Sequence, residues 1–425
     1  MKRSFFKGRY LGYHFNSFLK DLFAGFMVGI VAIPLGMAFA IASGVKPEYG
    51  LFTTIIAGIC ISLFGGSRFQ IGGPTGAFVP ILFAIVMQYG YDNLLIAGFM
   101  AGLMLFLMGA CKLGGIIKFI PKPVTTGFTA GIAVIIFTGQ IANFFGLRGL
   151  QKHEDFLSNM KELGLHLSTI HSYSMLTAIL CLGMIVLTPR LLPKCPGSLV
   201  GLLISTVAAV LFYPGQVATI GSTYGGIPSS LPSLHLPAFQ ADHLQSLLKP
   251  AFMIAMLGGI ESLLSAVVAD GMSGTRHNSN RELMGQGIAN MLTPLFGGIP
   301  ATGAIARTAT NIKSGAVSPL SGIVHGVVVL LVLIFFAPYA SGIPLASMAP
   351  ILMTVAWNMS ERKEFVHVLK SKPADAPVLL VTFLCTVLTD LTIAIAVGTA
   401  LSGLIYAAGM IRDRGKRLIG DSEKE

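Results

Sequence analysis

From Ser314 to Ser360 the chain carries no Lys, Arg, Asp or Glu, and Pro338 and Pro344 interrupt that stretch. Charge-poor runs recur throughout: Leu22–Ile41, Tyr49–Ser67, Phe69–Tyr91, Asn93–Cys111, Pro123–Leu147, Ser172–Pro189 and Pro196–Tyr213. They continue with Pro250–Ala269, Leu283–Ala306, Ala376–Thr389 and Leu391–Ile411. A spanning helix needs about 17–25 apolar residues, because the bilayer core leaves no water to satisfy an exposed backbone. Most runs meet that length and a few are short or broken. The pattern predicts about fourteen membrane segments, two of them half-length. Hydrophobic residues make up 53% of the chain and charged residues 11%, against roughly 25% charge in soluble domains. Mean hydropathy is +0.76. These values exclude a soluble globular enzyme, a disordered tail protein and a disulfide scaffold.

The net charge of +11 follows from topology. With the N-terminus inside, 23 of the Lys and Arg residues fall in cytoplasmic stretches and 5 in outer loops, with Arg307 inside a segment. That asymmetry is the positive-inside pattern, and anionic headgroups rather than nucleic acid are its counterpart. Both termini are expected in the cytoplasm. The first span lacks a cleavage site after a short apolar core and reads as retained. Cys60, Cys111, Cys181, Cys195 and Cys385 show no C-x-x-C spacing and read as small buried hydrophobes. The charged stretch Glu361–Lys372 predicts a short amphipathic helix. Asp390 reads as a solvated or capping acid at an outer turn.

Two short segments share a vocabulary. One reads Gly72-Gly73-Pro74-Thr75-Gly76-Ala77, the other Gly297-Gly298-Ile299-Pro300-Ala301-Thr302-Gly303-Ala304. Thr75 and Thr302 lie 227 residues apart, about half the chain. Gly/Pro-interrupted short spans at matching places in two halves point to a transporter binding site. A helix that begins in mid-membrane has unpaired N–H groups in its first turn, and its dipole favours an anion. Close helix packing is the structural alternative for one such segment, and the pairing weighs against it.

Glu261 is the one acid well inside an apolar run, near mid-span of Pro250–Ala269. An ionised group there costs at least about 2.5–3.5 kcal/mol. Glu261 is therefore expected to be protonated, paired or beside a cation. Ser265 lies on the same helix face, and together they could hold a proton or a sodium ion. Arg307, close to the second Thr-Gly-Ala, either adds positive potential to an anion site or snorkels to the cytoplasmic face. The histidines, including His325 alone in a span, form no metal pattern. No P-loop, G-x-S-x-G or H-E-x-x-H motif is present, so neither ATP-driven transport nor an enzyme is expected. The pairs Gly25–Gly29, Gly98–Gly102, Gly127–Gly131 and Gly322–Gly326 allow close helix packing and are compatible with a homodimer.

Several stretches resemble the sulfate permease (SulP) family of anion transporters: Asp21–Leu51, Gly65–Phe78, Pro123–Gln140 and, most specifically, Glu261–Gly315. The resemblance implies an all-α membrane protein of seven plus seven segments in inverted repeats, with two half-helices preceded by short strands. Core segments would cover about 15–111 and 250–337, and gate segments about 115–213 and 343–411. It implies an anion held at Thr75, Gly76 and Ala77 facing Gly303, Ala304, Ile305 and Ala306, with Phe39 lining the pocket and Arg307 beside it. Glu261, Ser265 and Gly303 match the coupling-ion positions. Two departures stand out. Leu35 occupies a position where the family often has Gln, which removes a polar contact. The STAS domain carried by most members is not expected, because the chain stops at Glu425.

The expected activity is secondary active transport of bicarbonate, sulfate or a C4-dicarboxylate, coupled to protons or sodium, in a bacterial inner membrane. No cofactor is expected beyond that coupling ion. A passive anion channel or an uncoupled exchanger is the alternative.

Overall fold

The computed structural model describes residues 13–115, 121–193, 195–230, 232–234, 241–371, 374–389 and 393–406, the side chains of 241–243 and 371 excepted. Asp390 and the tail from Arg412 lie outside these residues. Numbering only the membrane segments, the first half holds α1 (Phe15–Ala42), α2 (Pro47–Phe64), α3 (Val79–Tyr89), α4 (Tyr91–Ala110), α5 (Lys122–Gly139), α6 (Ser172–Leu191) and α7 (Gly197–Phe212). The second half holds α8 (Ala241–Ser273), α9 (Ser279–Leu295), α10 (Ile305–Lys313), α11 (Leu320–Ala340), α12 (Leu345–Met359), α13 (Asp375–Leu388) and α14 (Ile393–Tyr406). The two expected half-helices are α3, with 11 residues, and α10, with 9. Two strands, β1 (Gly72–Gly73) and β2 (Thr302–Gly303), precede them. The amphipathic stretch after α12 is a surface helix, Arg362–Ser371.

Helix contacts fall into two groups. In one, α1 packs on α2 and α11, α2 on α9 and α11, and α4 on α8 and α9. In the other, α5 packs on α12 and α13, and α6 on α7 and α12. The groups meet where α1 touches α7 and α12, and where the turn Gly76–Phe78 touches α5.

The glycine pairs explain the close approach. A Cβ on Gly127 would lie 2.6 Å from the Leu379 carbonyl, and one on Gly131 2.6 Å from Thr386 Cβ. Gly25 and Gly29 meet α11, Gly102 meets α9, Gly98 meets Pro294 and Pro300, and Gly322 and Gly326 meet α2. All four pairs are thus spent on packing within the chain, so they supply no free dimerisation face.

Long-range polar pins close the first group. Asp21, fully buried, accepts from the amides of Val317 (2.8 Å) and Ser318 (3.0 Å) and from the Ser318 hydroxyl (2.5 Å). Glu282, also fully buried, accepts from the amides of Gly66 (2.7 Å) and Ser67 (2.9 Å). Each acid satisfies backbone donors from the opposite half, which offsets its own desolvation.

Candidate half-helix anion site

β1 and β2 pair antiparallel, Gly72 with Gly303 and Gly73 with Thr302. Antiparallel strands run past one another, so the half-helices that follow them leave in opposite directions with their N-termini turned toward the shared ladder. The approach needs small residues. A Cβ on Gly303 would run into the Gln70 side chain, and one on Gly73 into the Arg307 guanidinium. Gly73 also has φ +154°, which L side chains rarely adopt.

The repeat is offset from its wording. A twofold axis through the ladder superposes Gly72–Gly73 on Thr302–Gly303. By strand register Thr75 corresponds to Ile305, and by its place at the helix cap to Ala304; on neither count does it correspond to Thr302. Thr302 is a fully buried strand residue whose hydroxyl donates to the Gly258 carbonyl (3.0 Å) and the Ser262 hydroxyl (3.2 Å).

Neither helix start is capped by a side chain. A 3₁₀ turn, Gly76–Phe78, leads into α3 with Thr75 at its N-cap, and Ala304 caps α10; no side-chain cap bond forms at either. First-turn amides have no intrahelical acceptor. Two sets of donors and two positive dipole ends are thus left at the ladder, an arrangement that favours negative charge.

The Thr75 hydroxyl, instead of capping its own helix, donates to Glu261 Oε2 at 2.9 Å. Glu261 is half-buried on α8. Arg307 is 2% exposed and does not snorkel. Its Nη2 donates to the Pro74 carbonyl at 2.5 Å, while Nη1 is buried without a hydrogen-bond partner. Arg307 and Glu261 form no ion pair within 4.0 Å. The site thus carries one cation and one acid that do not cancel by direct contact.

The remaining expected residues are placed as follows. Phe39 is buried, and its Cε1 would lie 3.4 Å from a Cβ on Gly76. Ala77 and Ala304 are buried, Ile305 is half-buried and Ala306 is exposed. Ser265 is fully buried and donates to the Thr308 hydroxyl at 3.3 Å. No hydrogen bond among the described residues ties Ser265 to Glu261. Oxygen ligands suited to a small hard cation are present as two pairs, Glu261 with Thr75 and Ser265 with Thr308. No three His, Cys, Asp or Glu side chains among the described residues stand together as a metal cluster.

The sequence reading missed several participants. Gln70 donates to the Ser262 carbonyl (3.1 Å), the Ile71 amide donates to Thr308 (3.1 Å), and Asn311 donates to the Phe69 carbonyl (2.9 Å). Ile136 of α5 and Met359 of α12 wall the α3 start from the second helix group, at 3.0 and 3.4 Å from a Gly76 Cβ. A polar Gln70 beside a Gly-Gly strand was a visible signal. The apolar Ile136 and Met359 carried none.

The profile described as "Sulfate permease family" matches residues 18–382. The chain belongs to the sulfate permease family. It is 64% identical over 405 residues to "Putative sulfate transporter YvdB" of Bacillus subtilis (strain 168), covering 95% of this chain and 76% of that protein. It is 32% identical over 402 residues to "Bicarbonate transporter BicA" of Picosynechococcus sp., covering 92% of this chain and 70% of the other. The solved transmembrane domain of a cyanobacterium bicarbonate transporter BicA superposes with a TM-score of 0.81 at 31% identity, covering 92% of this chain and 98% of that one. The overall structure of SLC26A9 shares the fold, with a TM-score of 0.83 at 17% identity over 93% of this chain and 67% of that one. These sulfate permease relatives are membrane transporters, not enzymes. Among the described residues, seven helices are long and apolar enough to span a bilayer.

Proposed function

We propose that the chain is a secondary active transporter of a small anion, with bicarbonate, sulfate or a C4-dicarboxylate as substrate. The anion sits by Thr75, Gly76 and Ala77 opposite Gly303, Ala304, Ile305 and Ala306, held by first-turn amides other than that of Ala304, which donates to the Ile71 carbonyl at 2.9 Å. Phe39 closes the pocket and Arg307 supplies positive potential. Glu261 carries the coupling proton, or with Ser265 a sodium ion. The group built from α1–α4 and α8–α11 slides as an elevator against α5–α7 and α12–α14. Transport runs across a bacterial plasma membrane with both chain termini cytoplasmic.

One observation carries this reading: two uncapped half-helix starts meet at a single ladder, and the Thr75 hydroxyl beside one of them is bonded to the Glu261 carboxylate. An anion at the amides and a cation at Glu261 would stabilise one another, which is the energetic basis of symport. The bicarbonate and sulfate transporters among its relatives support the substrate class.

Purified chain in proteoliposomes tests it with labelled bicarbonate, sulfate, fumarate and chloride under imposed pH or sodium gradients. Accumulation of one anion above equilibrium, only while a gradient persists, is the expected result. Uptake that is indifferent to both gradients would contradict coupling.

A further inference from the structure

A second polar site lies at the ends of α5 and α12, away from the strand ladder. An open groove of about 940 Å³ sits where α5 begins and α12 ends, under the first turn of the surface helix. Its cations are Lys122, Arg362 and Lys363. Glu364 takes up the charge of Lys122 at 2.6 Å, and that lysine holds the Glu364 carboxyl below the usual carboxylate range. Arg362 and Lys363 are left against one acid, Glu361.

The groove also has an apolar wall. Trp357, the chain's single tryptophan, is 52% exposed, and the Arg362 guanidinium stacks over its ring at 3.5 Å. The surface helix is anchored by buried Val368 and by Phe365, which packs edge-on against Phe383 at 5.6 Å between centroids. Its neighbours Val366 and Leu369 are left 44% and 38% exposed. A helix with basic residues beside an outward apolar strip lies in the plane of a membrane surface, and an interfacial tryptophan belongs at the same depth.

We propose that this groove binds an anionic glycerophospholipid, with Arg362 and Lys363 on the headgroup phosphate and Trp357, Val366 and Leu369 against the upper acyl chains. Cation and apolar wall together fit a lipid better than free phosphate, which has no apolar part. Lys122, Trp357 and the surface helix all attach to the α5, α12 and α13 group. A bound lipid would therefore anchor that group to one leaflet, whatever the other group does.

Because Trp357 is unique, its emission reports on the groove alone. Full-length protein in neutral detergent is titrated with brominated phosphatidylglycerol, with brominated phosphatidylcholine, and with inorganic phosphate. Saturable quenching by phosphatidylglycerol at well below the phosphatidylcholine midpoint is expected. Phosphate at millimolar levels should neither quench nor compete. Lys363→Gln, an exposed change, should weaken the phosphatidylglycerol midpoint roughly fivefold, and adding Arg362→Gln should bring the loss to roughly 25-fold. Thermal unfolding confirms that both variants stay folded, and midpoints rather than intensities are compared because Arg362 touches the indole. Equal midpoints for the two lipids would overturn the proposal. So would unchanged midpoints in Lys363→Gln and the double variant, or displacement of lipid by millimolar phosphate. None of these readouts depends on transport.

Discussion

The Thr75 hydroxyl donates to the Glu261 carboxylate at 2.9 Å, across 186 residues of sequence. Thr75 stands at the start of the first half-helix and Glu261 on the first helix of the second half. This bond directly links the half-helix start proposed to hold the anion with the acid proposed to carry the coupling ion.

Thr75→Val keeps the shape and removes the donor, whereas Thr75→Ser keeps the donor. A hydrogen bond to a charged group is worth about 1.5–3 kcal/mol, so a tenfold or larger loss of gradient-driven uptake is predicted for the valine variant. The serine variant should stay within a few-fold of the parent. Equal initial rates for the two variants in proteoliposomes would sink this role for the hydroxyl.

Two glycines should fail differently. Gly76→Ala places a methyl 3.0 Å from Ile136 Cδ1 and 3.4 Å from Phe39 and Met359, at the pocket wall. Its neighbours are flexible side chains, so the prediction is a raised KM for the anion with little change in unfolding temperature. Gly73→Ala meets both a strained φ of +154° and the Arg307 side chain. About 1–3 kcal/mol of stability should be lost as well as uptake. Matching thermal profiles for the two variants would contradict the distinction.

Asp21 is a structural acid. In Asp21→Asn the amide oxygen can keep the Val317 and Ser318 amides, which share Oδ1, but an NH2 group would replace the Oδ2 that accepts from the Ser318 and Tyr13 hydroxyls, and both would lose that acceptor. A loss of about 1–3 kcal/mol follows, read as a lowered unfolding midpoint in detergent. Anion affinity in the folded fraction should not change. An unaltered midpoint would show that the pin is not needed.

One pH effect lies outside the membrane segments. Asp155 caps the helix Phe156–Leu165, accepting from the Ser158 amide at 2.7 Å. The Ser158 hydroxyl and then its amide hold the Asp155 carboxyl below its ordinary value. A depressed carboxyl stabilises the fold above its unfolded pKa of about 4, and that contribution disappears as pH falls through the lower folded value. Amide exchange in this helix should be pH-insensitive, after correction for intrinsic rates, from pH 7 to 5, and protection should drop only in stronger acid. Asp155→Ala should show the acid-like protection already at pH 7. Parent-like protection in that variant would contradict the cap.

Much of this fold is written locally. Charge-free runs mark the spans, because lipid excludes ions regardless of tertiary structure, and Gly-Gly followed closely by Pro marks both half-helix entries. The surface helix after α12 was visible in the basic and apolar residues of Glu361–Lys372. What was not legible is pairing at a distance. Asp21 and Glu282 look like ordinary charges at helix ends until Ser318 and Ser67 are placed beside them. The matching words Thr-Gly-Ala suggested that Thr302 corresponds to Thr75, but Thr302 lies in the strand whereas Thr75 stands at a helix cap, which moves the correspondence on to Ala304 by cap and Ile305 by register. Periodicity gave no hint that Ile136 and Met359 face Gly76, since an apolar side chain facing lipid and one facing a pocket look alike in sequence.

Glu261→Gln is the most direct test of the central claim. The substitution keeps an acceptor for Thr75 and removes the titratable charge. Proteoliposomes holding this variant should still equilibrate labelled anion but should no longer accumulate it under an inward proton or sodium gradient. Accumulation equal to that of the parent protein under both gradients would contradict the account.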